Sequence, residues 1–418
     1  MLSVPDAAAR IVAAVAPLPV APARLEEAVG CVLAADVVSP ITLPRWDNSA
    51  MDGYALHGAD VVGATASDPR HLPVIGSVAA GAPVPAALPR GAAMQIMTGA
   101  FMPPGADTVI RVEDTDGGTA QVAIHKDRDI GKNIRRAGED VREGQVAIPA
   151  GTGIGAAQIG VLASIGFATV PVHRRPRVAI LGSGDELVEL EGFAEVLAGR
   201  RIVSSNRYTL EALVRLNGGV PMALGHAPDS LDAVRALLQR AVDAQPDLIV
   251  TSAGVSVGEH DHTRTAIESM GTALDFWRVR MRPGAPIGFG RVAGVPWIGL
   301  PGNPVSAMVT FELFVRPTIR RMLGHTQVHR RPVPVVLDEA VSIGAKLTHF
   351  YRAVVAPGDD GRLHARLTGP QGSGILTSMS LANALLIVPE DASTVPAGET
   401  LHALLLGEDA ALSERFAL

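Results

Sequence analysis

Apolar positions change their period several times along this chain. From Pro5 to Val15 they recur at helical spacing and predict a small amphipathic helix, and Arg24 to Ala35 predicts a second. From Gly58 to Ile124 the pattern shortens to β-type runs broken by glycine and proline, such as Leu72 to Gly76 and Ala120 to Ile124. Within it, Met94 to Ala100 followed by Pro103 to Ile110 reads as a hairpin with ordinary turns. The uncharged run from Gly144 to Val172 is long enough to span a bilayer, but its glycines, Pro149 and Gln158 point instead to a buried helix near Ala156 to Gly166. After Pro176, short β-branched strands alternate with amphipathic helices. Strands are expected at Arg177–Leu181, Arg201–Val203, Met222–Leu224, Asp247–Thr251 and Trp297–Leu300, with helices at Tyr208–Leu216, Leu231–Ala241 and Val305–Arg316. That alternation predicts a parallel sheet with right-handed crossovers. Beyond Gly324 the text turns basic and proline-bearing, then gives strands near Phe350–Val355, Leu363–Leu367 and Ala384–Val388.

The expected fold is therefore α/β and multidomain. A central doubly wound αβα domain spans 173–324, a small β-rich domain 46–140 and a C-terminal β domain 325–418. Residues 1–22, 23–45 and 141–172 form a linking helical and β segment. At 418 residues the chain exceeds the size at which a single core keeps growing, so about three or more compact units are expected. A net charge of -6 and a pI near 6.1 give no reason to expect nucleic-acid binding. One cysteine, Cys31, excludes an internal disulfide and a cysteine metal cluster and fits a reducing cytosol. Asp6 and Arg10 interrupt the mildly apolar start, which argues against a signal peptide.

The chemistry concentrates at strand ends, where ligands bind in open α/β sheets. The Asp247–Thr251 strand runs into Ser252, Gly254, Ser256 and Gly258, with Glu259, His260 and Asp261 following at once. Pro301-Gly302-Asn303-Pro304 repeats the device before an apolar helix, whose N-terminal N–H groups would favour an anion. Arg278, Arg280 and Arg282 alternate along an expected strand, so all three project from one face, which is cationic. Gly182-Ser183-Gly184-Asp185-Glu186 lacks the third glycine of a dinucleotide fingerprint, and its two acids suggest a metal or a polar ligand group. Ser204, Ser205 and Asn206 suit a helix N-terminus, and Asp229 is expected to cap the helix that follows it. Two stretches are dense in acids and aromatics or in mixed charge, Leu43 to Ala55 and Lys132 to Asp140; the second reads as solvated surface. The glycine-rich stretch Gly369 to Met379 reads as a connection.

Taken together these motifs resemble a known family. Asp47 to Ala55 (DNSAMDGYA), Ile96 to Ala100 (IMTGA), Asn133 to Asp140 (NIRRAGED), Gly182 to Leu187 (GSGDEL), Ser204 to Tyr208 (SSNRY), Ala253 to Asp261 (AGVSVGEHD), Arg282 to Pro286 (RPGAP) and Leu300 to Ala307 (LPGNPVSA) resemble the molybdopterin molybdenumtransferases in order and spacing, over essentially the whole chain. The C-terminal half of gephyrin is similar. The resemblance implies an enzyme that inserts molybdate into adenylated molybdopterin and releases AMP with magnesium. It implies catalytic roles for Asp52, Asp140, Asp229, Asp261, Arg278 and Arg282. Molybdopterin would be held by Thr98, Gly182, Ser183, Gly184, Asp185, Ser205, Asn206, Gly254, Ser256, Gly258, Pro301, Gly302 and Asn303, and magnesium by Glu186 and Asp261. It also implies a cytoplasmic homodimer whose site is shared between subunits, working with a molybdopterin adenylyltransferase and with molybdoenzymes or cofactor-maturation proteins, and neither nucleic acid nor membrane as partner. Arg278 and Arg282 stand where the family often has lysine, Ala253 where it has glycine, Gly182 where it has serine or threonine, and Ala285 where it has lysine. The last change removes one cation from the rim. A non-catalytic molybdopterin-binding scaffold and an adenylyltransferase are the other functions such motifs could serve. Retention of all five acids (Asp52, Asp140, Glu186, Asp229 and Asp261) argues against the first, and the flanking modules, with Asp52 and Asp140, argue against the second.

Overall fold

A computed structural model describes residues 1–254, 262–270 and 274–407. The chain divides into two compact units, Met1–Ala34 with Gly151–Ala156 and Thr169–Leu418 in one, and Ala35–Ala150 with Ala157–Ala168 in the other.

The first unit holds the doubly wound sheet. Its six strands lie in the order Val220–Ala227, Arg177–Ser183, Leu248–Ser252, Val295–Leu300, Pro286–Val292 and Leu274–Arg278. The first four are parallel, and Pro286–Val292 runs antiparallel to both of its neighbours, Val295–Leu300 and Leu274–Arg278. Both faces of the parallel part are covered. Val178, Ile180, Leu248 and Val250 pack against Leu210, Val214, Val305 and Phe314. Ala179, Leu181, Ile249 and Trp297 pack on the other side against Val234, Leu237, Leu238, Ala266 and Ile267. Burial on both faces is why these strands read as continuous apolar runs. From Arg177–Ser183 the chain moves outward to Val220–Ala227, then returns to place Leu248–Ser252 on the opposite flank of the first strand. That reversal opens a crevice beyond the carboxyl ends of Arg177–Ser183 and Leu248–Ser252.

The helix after Pro301-Gly302-Asn303 runs as Pro304–Thr310, a π turn Phe311–Val315, and Arg316–Met322. Pro317 has no N–H to give to the preceding turn, which accounts for the widened turn just before it. Within that turn Glu312 is nearly buried and its Oε1 accepts Arg316 Nε at 2.6 Å and Arg330 Nε at 2.7 Å. At the chain start, Ser3 caps the helix Val4–Ala13 by accepting the Asp6 N–H at 3.2 Å.

A second sheet of the same unit contains Thr348–Pro357, Leu363–Leu367, Val333–Leu337, Thr400–Leu405 and Ala384–Val388. Pairing of Thr348–Pro357 with Ala384–Val388 closes these five into a small barrel around Val335, Val355, Leu386 and Ala403. Met281–Arg282 joins its edge. The other compact unit is built on a five-stranded sheet in the order Thr108–Arg111, Gly53–Leu56, Ala93–Ile96, Arg70–Val78 and Gln121–Ile124. Tyr54 and Leu56 pack on one face of it and Ala55 on the other.

Three expectations are corrected. Arg24–Ala35 is not a helix: Val20–Arg24 is a strand paired with Thr169–His173, Leu25–Glu27 is one 3-10 turn, and Val32 and Leu33 bridge to Gly153 and Val172. Strand pairing here outweighs the local helical spacing. The helix Ala156–Ser164 exists but only Leu162 of it is buried. Arg278, Arg280 and Arg282 do not share one strand. Arg278 is in register with Pro286 in the doubly wound sheet, whereas Arg282 is in register with His349 in the barrel sheet. Between them Arg280 gives Nε to Glu390 at 3.2 Å and Nη1 to the Met1 carbonyl at 3.0 Å.

A candidate active site at the sheet's switch point

The crevice at the reversal of strand order is a cavity of about 410 Å³. Ser183, Glu186 and Leu187 line it from the first strand's end, Ser252, Ala253 and Gly254 from the neighbouring strand's end. The loop entering the helix Ser205–Leu216 adds Ser204, Ser205 and Asn206, and Pro301, Gly302, Asn303 and Pro304 close another side. Two helix N-termini therefore meet at the cavity, as an anionic ligand requires.

Backbone conformation explains the small residues. Gly254 has φ +70, and a side chain there would place its Cβ 1.9 Å from Thr263 Oγ1. Ala253 has φ +73, which an alanine adopts at a cost of about 1–2 kcal/mol. A Cβ on Gly302 would come within 3.2 Å of the Ala253 methyl, so a side chain there would push the two turns apart by a few tenths of an ångström. Asn206 Nδ2 donates to the Gly302 carbonyl at 2.7 Å. Its Oδ1 is sealed from solvent and has no hydrogen-bond partner among the described residues.

The N-terminus at Pro304 is partly occupied. The Val305 N–H donates to the Ser373 carbonyl at 3.1 Å and Asn303 Nδ2 to Ser373 Oγ at 3.0 Å. Ser373 belongs to the glycine-rich stretch that reads as a plain connection in the sequence. That stretch is wrapped around Arg352, which is fully buried. The Arg352 guanidinium donates to Ser378 Oγ and to the carbonyls of Pro370, Gln371 and Gly372. Gly369 to Gly374 was the only sequence signal for this arrangement; the arginine that organises it is 17 residues earlier in a strand.

The acids lie in several places. Glu186 folds back over Gly184, its carboxylate within 2.8 Å of where a Cβ on that glycine would sit, and faces the cavity. Gly182 precedes them beside His226. Asp185 and Asp229 are exposed and each accepts the other's backbone N–H, at 3.3 and 3.2 Å. Asp229 is thus not the cap of Leu231–Asp243; Ser230 is, accepting the Ala233 N–H at 3.3 Å. Arg278 is exposed in a separate hollow with Met1, Leu2, Arg264, Phe276 and Trp277. Arg282 is exposed and acts on His349, whose pKa is held down by burial and further by this arginine. In the other compact unit, Asp52 Oδ1 accepts the Thr98 N–H at 2.6 Å and Thr98 Oγ1 at 2.8 Å, bonds that lower its pKa. Asp140 is exposed there and its N–H donates to the Leu43 carbonyl. Trp46 and Phe101 stack at 4.1 Å near the Asp47–Arg136 ion pair in that unit. Ser256, Gly258 and Asp261 lie outside the described residues, as do Glu259 and His260.

Among the described residues, no group of three or more His, Cys, Asp and Glu is arranged to hold a metal ion. Glu186 offers a single hard oxygen ligand at the cavity. This suits a cation such as magnesium, which takes one or two carboxylates and fills its remaining positions with water and substrate phosphate. No helix of the described residues is long and apolar enough to cross a membrane.

Comparison with known proteins places this geometry. Three family profiles match in succession, the MoeA N-terminal region (domain I and II) over residues 2–166, the Probable molybdopterin binding domain over 179–321, and the MoeA C-terminal region (domain IV) over 334–406. The chain is similar to Molybdopterin molybdenumtransferase 2 of Mycobacterium tuberculosis, 40% identical over 90% of this chain and 93% of that protein. It is also similar to Molybdopterin molybdenumtransferase of Haemophilus influenzae, 34% identical over 90% of this chain and 92% of the relative. The crystal structure of the molybdopterin biosynthesis moeA protein from Pyrococcus horikoshii superposes with a TM-score of 0.82 at 28% identity, covering 97% of this chain and 100% of that one. With the switch-point cavity inside the matched molybdopterin-binding region and relatives of this identity along nine-tenths of its length, the chain belongs to the molybdopterin molybdenumtransferase family.

Proposed function

We propose that this chain is a molybdopterin molybdenumtransferase that takes its pterin substrate in adenylated form. Insertion of molybdenum into molybdopterin, as a step of molybdenum cofactor biosynthesis, is its function; the relatives' shared name supports this. The observation that carries the site assignment is the cavity of about 410 Å³ at the switch point, with two helix N-termini directed at it. Molybdate is a dianion and the pterin carries a phosphate and two thiolates, so the N–H dipoles at Ser205 and Asn206 favour binding. Ser183, Ser252 and Ser205 add hydroxyls that can give or accept hydrogen bonds. Hydrolysis of the adenylate's phosphoanhydride by water releases AMP and leaves phosphate on the pterin, while the two dithiolene thiolates replace two molybdate oxygens, which take up protons from solvent and leave as water. Magnesium, when bound at Glu186, would offset phosphate charge there.

The test is AMP release by the purified protein from adenylated molybdopterin, with and without molybdate. Release that requires molybdate is expected. Equal release in both conditions, or none, would overturn the proposal, and incorporation of AMP from ATP into molybdopterin would indicate an adenylyltransferase.

We further propose a cytoplasmic homodimer whose sites are shared between subunits, working beside an adenylyltransferase that supplies its substrate and proteins that receive its product. Asp52 and Asp229 belong to different compact units, which is compatible with such sharing. Asp52→Ala and Asp229→Ala homodimers should each be inactive, and subunit exchange between them should restore part of the activity. Demonstrated exchange with no recovery would rule out the shared site.

A further inference from the structure

A second cavity, of about 470 Å³, shares no lining residue with the one at the switch point. It is bordered by the helix Val4–Ala13, the π turn Phe311–Val315 and the barrel strands Thr348–Pro357, Ala384–Val388 and Thr400–Leu405. Ala8, Leu313, Phe350, Ile387 and Leu404 make its wall largely apolar, and Glu312, Arg316 and Arg330 make one part of it charged. The charges there do not balance. Glu312 Oε1 accepts the Nε of both arginines, at 2.6 and 2.7 Å, so two guanidiniums share one carboxylate and one positive charge is left over. Arg320, which acts on both of these arginines, adds to the surplus. His329 also lines the cavity but is uncharged near neutral pH, because desolvation of its ring and then Arg316 hold its pKa down.

Only 7% of the Arg316 side chain is exposed. Its Nη1 and Nη2 have no hydrogen-bond partner among the described residues. Both nonetheless stay open to a molecule the size of water, since the one unpartnered side-chain atom sealed off among those residues is Asn206 Oδ1. Arg316 lines the cavity, so the opening is into it. Burial lowers the Arg316 pKa despite the Glu312 charge, as befits a cation short of a counter-anion.

We infer that this cavity binds a small monocarboxylate with an apolar body, its oxygens on Arg316 Nη1 and Nη2 and its body against Ala8, Leu313, Phe350 and Leu404. A carboxylate matches the two parallel N–H groups at the end of a guanidinium, and a single negative charge neutralises the surplus left by Glu312. Water alone would hydrate the two Nη atoms but leave the apolar wall wet, whereas a hydrocarbon body displaces that water. The volume is that of a small-molecule site. No part of the transferase reading enters this inference.

The test is calorimetric titration of the full-length protein near neutral pH with octanoate, 1-octanol and octylammonium, which share one chain and differ in the charge of the head. Octanoate should bind saturably and roughly tenfold or more tightly than octanol, with octylammonium the weakest. Arg316→Met should bring the ratio of octanoate to octanol close to one, and Arg316→Lys, which keeps the charge and loses the fork, should retain part of it. Ala9 is exposed on the first helix and lines the cavity, so Ala9→Trp fills the space without touching the charges and should abolish octanoate binding with the melting temperature near the parent's. These last two variants carry the test if Arg316→Met fails to fold. No saturable octanoate binding by the parent, equal binding of octanoate and octanol, a preference for octylammonium, a ratio preserved in Arg316→Met, or unchanged binding in Ala9→Trp would each overturn the inference.

Discussion

Replacing Arg352 by methionine removes the guanidinium while keeping an unbranched apolar stem in its place. The guanidinium makes bonds at 3.0 Å to Ser378 Oγ, 3.1 Å to the Gln371 carbonyl, 3.3 Å to that of Pro370 and 2.9 Å to that of Gly372. Charge-assisted bonds contribute about 1.5–3 kcal/mol each, so the four together amount to about 6–12 kcal/mol. Against this stands the desolvation of a buried guanidinium with no carboxylate partner among the described residues, several kcal/mol. That opposition is evident in the Arg352 pKa, which burial pushes down. The net loss expected for Arg352→Met is about 3–5 kcal/mol. It should appear as local opening of 369–375, because water can then satisfy the three carbonyls that the variant leaves bare. Opening releases Ser373 from the Val305 N–H and from Asn303. Native-state hydrogen exchange at the Val305 amide measures this directly, and protection should fall by about two to four orders of magnitude. Protection within tenfold of the parent would show that the loop is held by other contacts and that the arginine is only a space-filling side chain.

Two further predictions concern caps and protons. Ser230→Ala should lower stability by about 1 kcal/mol through loss of the cap of Leu231–Asp243, whereas Asp229→Ala should change it by less than about 0.5 kcal/mol while abolishing AMP release; a denaturation series in which Asp229→Ala is the more damaging would reverse the cap assignment. His325, whose pKa burial and then Arg320 depress from 6.5 to about 4, binds its proton more readily in the unfolded chain. Its contribution, at most about 3 kcal/mol, is complete above pH 6.5 and is lost as pH falls toward 4, so His325→Gln should flatten the pH dependence of stability in that window. An unchanged slope in the variant would mean that other groups carry it.

Much of the αβα part was legible in the sequence because its signals are local. The Asp247–Thr251 run, the helix after Ser230 and Pro304 at the start of a helix are each set by neighbouring residues, and the structure has them at Leu248–Ser252, Leu231–Asp243 and Pro304–Thr310. The motifs at Gly182–Glu186, Ser204–Asn206, Ala253–Gly254 and Pro301–Pro304 likewise carry their turn chemistry in their own residue types. All four ranges line one cavity, the first through Ser183 and Glu186 and the other three through every one of their residues.

Partner choice was not legible. The helical spacing of Arg24–Ala35 was overridden because Val20–Arg24 found a distant strand in register, Val20 against His173 to Arg24 against Thr169, with the central pair Pro22 and Pro171 separated by 149 residues, 171 less 22. The three alternating arginines satisfied a strand pattern, yet the chain changes sheets at Val279 and Arg280, so the sequence period survives while the shared face does not. Arg352 sits in an ordinary strand and becomes an organiser only because Gly369 to Gly374 folds over it. What the sequence by itself determined was where turns, caps and two-faced strands could form, since these depend on φ preferences, side-chain reach over one to four residues and apolar period. The tertiary structure alone decided which of those pieces meet: the apposition of Ala253 with Gly302, the Asn206 amide on the Gly302 carbonyl and the Ser373 carbonyl on the Val305 N–H arise from packing between segments up to 96 residues apart, 302 less 206, and no local preference encodes them.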